Sequence, residues 1–243
     1  MRKAILVFDF DGVLVDSYSK LEEVYIEALR EHPAIKQMNI EKVKKLAREL
    51  VELEDYHDSI RRYNRFELIE TFLSTKSIVL DEDIIRRIVE KYWAKRIEKT
   101  TVFPDVEETL KELHVKYTLI LLTDHDGKPG YKIRRVRASG LDRYFDEIIV
   151  AGEPGQPVTK RNGLLYIIDK YRVEPECIAF IDDKPKVLAS VKDLGVATIL
   201  RIFRPPNMYR AWTGEPAADY IIESLTELPT VLAILDTVCG KKG

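Results

Sequence analysis

The run ILVF at residues 5–8 delivers the chain straight to Asp9, and a second acid, Asp11, follows one residue later in FDFDGVLVDS. A short continuous apolar run of this kind is what a strand buried on both faces requires. Two carboxylates at its end then stand at the carboxyl edge of a sheet, the edge where open parallel sheets bind ligands. The 243 residues, 45% of them hydrophobic, suit one sizeable core or a core carrying a smaller insertion better than a single helical bundle.

The rest of the chain divides by its periodicity. From about 18 to 99 there is no strand pattern. Leu21, Val24, Tyr25, Ala28 and Leu29, then Val43, Leu46, Ala47, Leu50 and Val51, repeat the spacing of a helix with one buried face. A further helix is expected over Asp58–Leu73 and another after Asp81, which is placed to cap it, so this region predicts a four-helix bundle. Beyond Phe103-Pro104-Asp105, amphipathic helices alternate with the strands TLILLT, EIIV, CIAFID and VATIL, ahead of a short strand at Tyr220–Ile222 and a last helix. This alternation predicts an α/β fold: a doubly wound, Rossmann-like parallel sheet with an inserted all-helical cap. The expected division is 1–17 and 100–243 for the core and 18–99 for the cap.

Composition narrows the function. Lys plus Arg number 39 against 41 acids, a net charge of -2, which gives no electrostatic basis for a nucleic-acid or anionic-membrane partner. No run reaches the roughly 18 apolar residues of a membrane span, and Met-Arg-Lys leads directly into the first strand, so a cytoplasmic protein is expected. Cys177 and Cys239 stand far apart with no Cys/His cluster; there is no zinc site, and Cys177 reads as a buried thiol.

Four strand ends carry chemistry. Asp9 and Asp11 follow the first strand, Thr123 and Asp124 close TLILLT, Asp182 and Asp183 close CIAFI, and Lys160 stands between EIIV and the next helix. Phosphoryl transfer through an aspartyl-phosphate uses such a set. A cation must bridge an anionic nucleophile and a phosphate ester, and hard oxygens such as those of Asp9, Asp183 and a backbone carbonyl suit Mg²⁺. Lys160 adds positive charge, the Thr123 hydroxyl is placed for phosphoryl oxygens, and Asp11 for proton transfer.

These motifs, DFDGVLVDS at 9–17, LLTD at 121–124, Lys160 and IDD at 181–183, resemble those of the haloacid dehalogenase superfamily, in the branch whose helical cap is inserted after the first motif. The resemblance extends over essentially the whole chain. It implies Asp9 as nucleophile, Asp11 as acid/base, a mobile lid and a Mg²⁺ site drawing on Asp9, Asp11, Asp182 and Asp183. The superfamily's dehalogenases generally lack the acid two residues after the nucleophile, so Asp11 favours phosphate esters. Two positions depart from the pattern: Val187 stands where a further motif-four acid is common, and Lys160 is followed by Arg-Asn-Gly. Asp182 is expected to cover part of the missing role by orienting a metal-bound water.

The expected activity is therefore a Mg²⁺-dependent phosphatase for a small phosphorylated metabolite such as phosphoglycolate or a sugar phosphate, working as a monomer or homodimer. A phosphomutase on the same core, and a non-catalytic binding protein on this fold, are the alternatives. Arg61, Arg62 and Arg65 are candidates to face the substrate, although a solvated helix face is the simpler account of any one of them, since 18–99 carries 17 basic and 17 acidic residues. Asp124 is a candidate substrate contact. Lys128, Lys132, Arg134, Arg135 and Arg137 read as an exposed helix side, and His125 and Asp126 as residues of the pocket mouth or of a turn. Residues 201–216, RIFRPPNMYRAWTGEP, form a long aromatic connection of the kind usually kept for function.

Overall fold

A computed structural model describes residues 4–78, 81–204, 212–213 and 218–240. Most of the 201–216 connection lies outside them. The strands β1 (Ile5–Phe8), β4 (Thr118–Asp124), β5 (Glu147–Ala151), β6 (Ile178–Asp182), β7 (Ala197–Arg201) and β8 (Tyr220–Ile222) form one sheet in the order β5-β4-β1-β6-β7-β8. Every neighbouring pair in it is parallel. The chain builds outward from β1 on one side and then returns to build on the other, so the switch point falls between β1 and β6.

The apolar runs explain why these strands are central. Side chains alternate between faces, so Leu6 and Phe8 join Leu119, Leu121 and Ile181 in one core, and Ile5 and Val7 join Ile120, Leu122 and Phe180 in the other. The first face is closed by α6 (Val106–Lys116) and α10 (Leu228–Gly240), through Leu110, Leu113, Leu228 and Leu232. The second is closed by α8 (Lys160–Tyr171) and α9 (Pro185–Ala189), through Leu164, Ile167 and Leu188.

Residues 18–99 fold as the helices α1 (Leu21–Leu29), α2 (Pro33–Lys36), α3 (Ile40–Ser59), α4 (Arg65–Thr75) and α5 (Glu82–Lys99) around their own apolar cluster. Asp81 caps α5 as expected, accepting from the Ile84 N–H at 2.8 Å. The helix expected over Asp58–Leu73 does not form as one piece. α3 runs on to Ser59, Arg61 takes a left-handed backbone (φ 61°), and Asn64 caps α4 by accepting from Phe66 and Glu67. Arg61 and Arg62 therefore sit in a loop rather than on a helix face. The two chain crossings between helical layer and sheet pair with each other: β2 (Val15–Asp16) runs antiparallel to β3 (Thr101–Val102), a two-residue ladder too short to show in a hydrophobic pattern.

The lone-thiol expectation is overturned. Cys177 is half-buried and bonded to Cys239, tying the start of β6 to α10 across a sequence separation of 62 residues. Spacing hid the pair because the sheet and the last helix bring the two α-carbons to 5.5 Å. In the chain-entropy account a loop of this length is worth about 4 kcal/mol. Cys239→Ser is therefore expected to lower the unfolding free energy in urea by about 2–4 kcal/mol relative to the oxidised protein. Equal stability of the two would show that the bond contributes nothing to folding.

Candidate active site

The sheet order places the carboxylates on either side of the switch point. Asp9 is one residue beyond β1, its N–H bonded to the Ile181 carbonyl at 2.9 Å; Asp182 ends the neighbouring β6 and Asp183 is one residue beyond it. All three are buried, and one oxygen of each lies within 4.8 Å of the others. The close approach depends on Gly12: at φ 81°, a Cβ there would lie 2.0 Å from Asp183 Oδ2.

Lys160 is the first residue of α8 rather than a loop residue, with Thr159 capping the helix through the Asn162 N–H. Its ammonium, buried, bridges Asp9 Oδ2 at 2.8 Å and Asp182 Oδ2 at 2.7 Å. Burial would lower its pKa, but Asp182 and Asp9 outweigh that and raise it, so it stays charged. The other Asp182 oxygen accepts from the Lys184 N–H at 2.8 Å, which leaves Asp182 holding Lys160 and the turn into α9. Burial, with repulsion from Asp182 and Asp9, pushes Asp183 well above the usual carboxylate range despite nearby Lys184.

This set fits a hard divalent cation. Asp9 Oδ1 and Asp183 Oδ1 are buried and have no hydrogen-bond partner among the described residues. Oxygen donors whose mutual repulsion a positive charge would relieve are what Mg²⁺ takes. The Asp11 side chain is not in this group. The second oxygen of Asp183 accepts from the Trp212 indole N–H at 2.6 Å, a contact from the 201–216 connection that no sequence pattern announced.

Asp11 belongs to a second cluster. Lys132 and Arg135, on α7 (Tyr131–Ala138), both grip its carboxylate, and the Ser17 hydroxyl donates to it at 2.5 Å. The same two cations pair with Asp126, Lys132 at 2.9 Å and Arg135 at 3.2 Å. Reading this run as an exposed helix side was wrong for these two residues, which are 4% and 3% exposed; Lys128, Arg134 and Arg137 do face solvent. Burial alone would raise the Asp11 pKa, but Arg135 and Lys132 hold it well below the ordinary range, and Asp126 is lowered the same way.

The helical layer closes over both clusters. Asp9, Asp11, Thr123 and Lys160 line a cavity of about 30 Å³ together with Arg65 and Arg96 from the helices above. Asp124, at the end of β4, meets Arg61 at 3.0 Å, and His125 packs edge-on against Tyr63. Asp126 and His125 therefore lie in the cavity wall, while exposed Arg62 is not among its lining. Arg65 is buried in its own layer, paired with Glu54 at 3.0 Å and Asp58 at 2.8 Å, and Arg96 reaches Glu54 at 2.7 Å.

Burial would raise the Glu54 pKa, but Arg65 and Arg96 bring it down to about 2. A depressed carboxyl contributes stability that is complete above its unfolded value, near 4.5, and is lost as pH falls through the folded value. Glu54→Gln should therefore cost about 3 kcal/mol at pH 7, by leaving buried guanidinium groups without their anion. The gap between variant and wild type, which cancels the opposing titration of groups such as Asp58, should close between about pH 4.5 and 2. A gap constant down to pH 2 would show that charge is not what Glu54 supplies.

Comparison with known proteins agrees with this geometry. A profile of the family described as haloacid dehalogenase-like hydrolase matches residues 3–195. The chain is 21% identical to N-acylneuraminate-9-phosphatase of Homo sapiens, over 97% of this chain and 96% of that protein. It is 24% identical to phosphoglycolate phosphatase of Vibrio vulnificus, over 95% and 96%. In fold it is similar to the HAD hydrolase YfnB of Bacillus subtilis, solved bound to magnesium, with a TM-score of 0.68 at 19% identity over 96% of this chain and 99% of that one. Matched over most of its length by the family's profile, with the family's doubly wound sheet beneath its clustered aspartates, the chain belongs to the haloacid dehalogenase-like hydrolases.

Proposed function

We propose that the protein is a Mg²⁺-dependent phosphatase, hydrolysing a small phosphorylated metabolite through an aspartyl-phosphate on Asp9. Residues 18–99 act as a cap over a core formed by 1–17 and 100–243. The observation that carries this reading is Asp9 itself: one oxygen is held by Lys160, and the other, like Asp183 Oδ1, is buried without a hydrogen-bond partner among the described residues, in a cluster of three carboxylates. The relatives named as phosphatases support it, since both are matched along nearly their whole length.

A Mg²⁺ ion bound by Asp9 and Asp183 would supply the charge that lets an anionic ester approach an anionic nucleophile. The chain's own residues do the rest. An Asp9 oxygen attacks phosphorus, the bond to the leaving group breaks, and the departing alkoxide oxygen takes a proton from a water molecule. Lys160 and the Thr123 hydroxyl face the phosphoryl oxygens, and Asp182 orients Lys160. Water then attacks phosphorus, the Asp9–phosphorus bond breaks, and the water's proton passes to Asp11. Held ionised by Arg135 and Lys132, Asp11 has no proton to give the leaving group and can only accept one; because the same two cations oppose its protonation, it passes that proton on to solvent. The cap keeps bulk water from the 30 Å³ cavity, with Arg61 on Asp124 as one of its contacts with the core.

Assay against a panel of phosphorylated metabolites, with Mg²⁺ and with EDTA, tests the reading. Activity is expected with Mg²⁺, lost in EDTA and lost in Asp9→Asn; an Asp9→Asn enzyme of near wild-type rate would remove the covalent mechanism. Asp11→Asn should slow turnover by about 10²- to 10⁴-fold, with a rapid burst of released alcohol before the slow steady state. A uniform slowing with no burst would place Asp11 in the first half-reaction instead.

A further inference from the structure

Beside the catalytic cavity lies a second one of about 350 Å³, and the two share Asp58, Tyr63, Asp124, Lys160 and Lys184 in their walls. The catalytic cavity, at about 30 Å³, has no room for a leaving group. Of the larger neighbours, the 350 Å³ cavity includes Lys160, the residue bonded to Asp9, whereas a 230 Å³ cavity along the seam near Arg65 and Tyr131 includes no residue that contacts Asp9. A group leaving from a phosphoryl on Asp9 would therefore occupy the 350 Å³ space.

The charges there do not cancel. Its acids are already engaged, Asp58 by Arg65 and Asp124 by Arg61. Lys160 is held by Asp9 and Asp182, and Arg161 by Asp193 at 2.5 Å. Lys184 and Lys186 remain, lining the cavity with no ion pair within 4 Å among the described residues; Lys186 pairs with no acid of the cavity wall, and Lys184 lies near enough to Asp183 and Asp9 to feel their charge while still facing the cavity. The Lys184 ammonium lies 5.4 Å from the Trp212 ring centre and 5.8 Å from that of Tyr18, which fixes it at the junction of the two cavities. Val187, in the same wall, adds no countercharge.

We infer that this cavity is an oxyanion subsite: Lys184 and Lys186 bind a second anionic group, carboxylate or phosphate, carried by the leaving group, so that the substrate is a small phosphomonoester with two anionic ends. This rests on the phosphatase reading for the identity of the first end. Three esters of one chain length test it, 3-phosphooxypropanoate, 1,3-propanediol bisphosphate and propyl phosphate. Wild type should favour at least one anionic ester over propyl phosphate by about 10-fold in kcat/KM, the preferred one telling carboxylate from phosphate. Lys184→Gln and the exposed Lys186→Gln should each reduce that preference several-fold, in line with losing a charged hydrogen-bond partner. Equal losses on all three esters, or no preference in wild type, would overturn the subsite. Binding of the same compounds to Asp9→Asn, followed calorimetrically, separates the two claims. Lysine-dependent tighter binding of the anionic esters without turnover by wild type would keep the subsite and reject the phosphatase, while equal binding of all three would reject the subsite itself.

Discussion

Three carboxylates buried within 4.8 Å of one another are the constraint to which the rest of the site answers. Asp9 and the Asp182-Asp183 pair are brought together because β1 and β6 are adjacent and parallel, so their ends coincide at the switch point. Left alone, such a cluster would be strongly unfavourable, since each charge is desolvated and repelled by the others. One cation is built in: the Lys160 ammonium, launched from the first turn of α8, bonds to two of the three. The two oxygens it does not satisfy, on Asp9 and Asp183, are where further positive charge would be most strongly stabilised.

The same logic of paired burial extends into the helical layer. Lys132 and Arg135 sit between Asp11 and Asp126, and Arg65 and Arg96 converge on Glu54. These pairs are poor sources of net stability, because desolvation offsets most of their attraction. Their consequence is geometric: charged groups of fixed orientation surround a small cavity between sheet and helices, and removing one partner leaves another charge stranded. Trp93 stacking on Tyr131, ring centres 5.3 Å apart, adds an apolar contact across the same seam.

Much of this was legible in the sequence for a physical reason. A strand buried on both faces shows as an unbroken apolar run, and acids placed at its end, as Asp9, Asp11, Asp182 and Asp183 are, stand out against it. Periodicity misled where charge is buried: Lys132 and Arg135 look like solvent-facing positions until Asp11 and Asp126 are seen opposite them. It also ran α3 and α4 differently from the fold, because the left-handed turn at Arg61 and the cap at Asn64 interrupt what looked like one helix over 58–73. The Cys177–Cys239 bond and the Trp212 contact with Asp183 link residues far apart in the chain, and no local pattern carries them. Among the described residues no helix is long and apolar enough to cross a membrane.

The central claim is that the Asp9 carboxylate takes the phosphoryl group. Acid quenching of the wild-type protein in the first milliseconds of turnover, followed by mass spectrometry of its peptides, measures this directly. The account predicts one added phosphoryl group on the peptide containing Asp9, cleaved by hydroxylamine as an acyl phosphate is; a phosphoryl group on any other residue would contradict it.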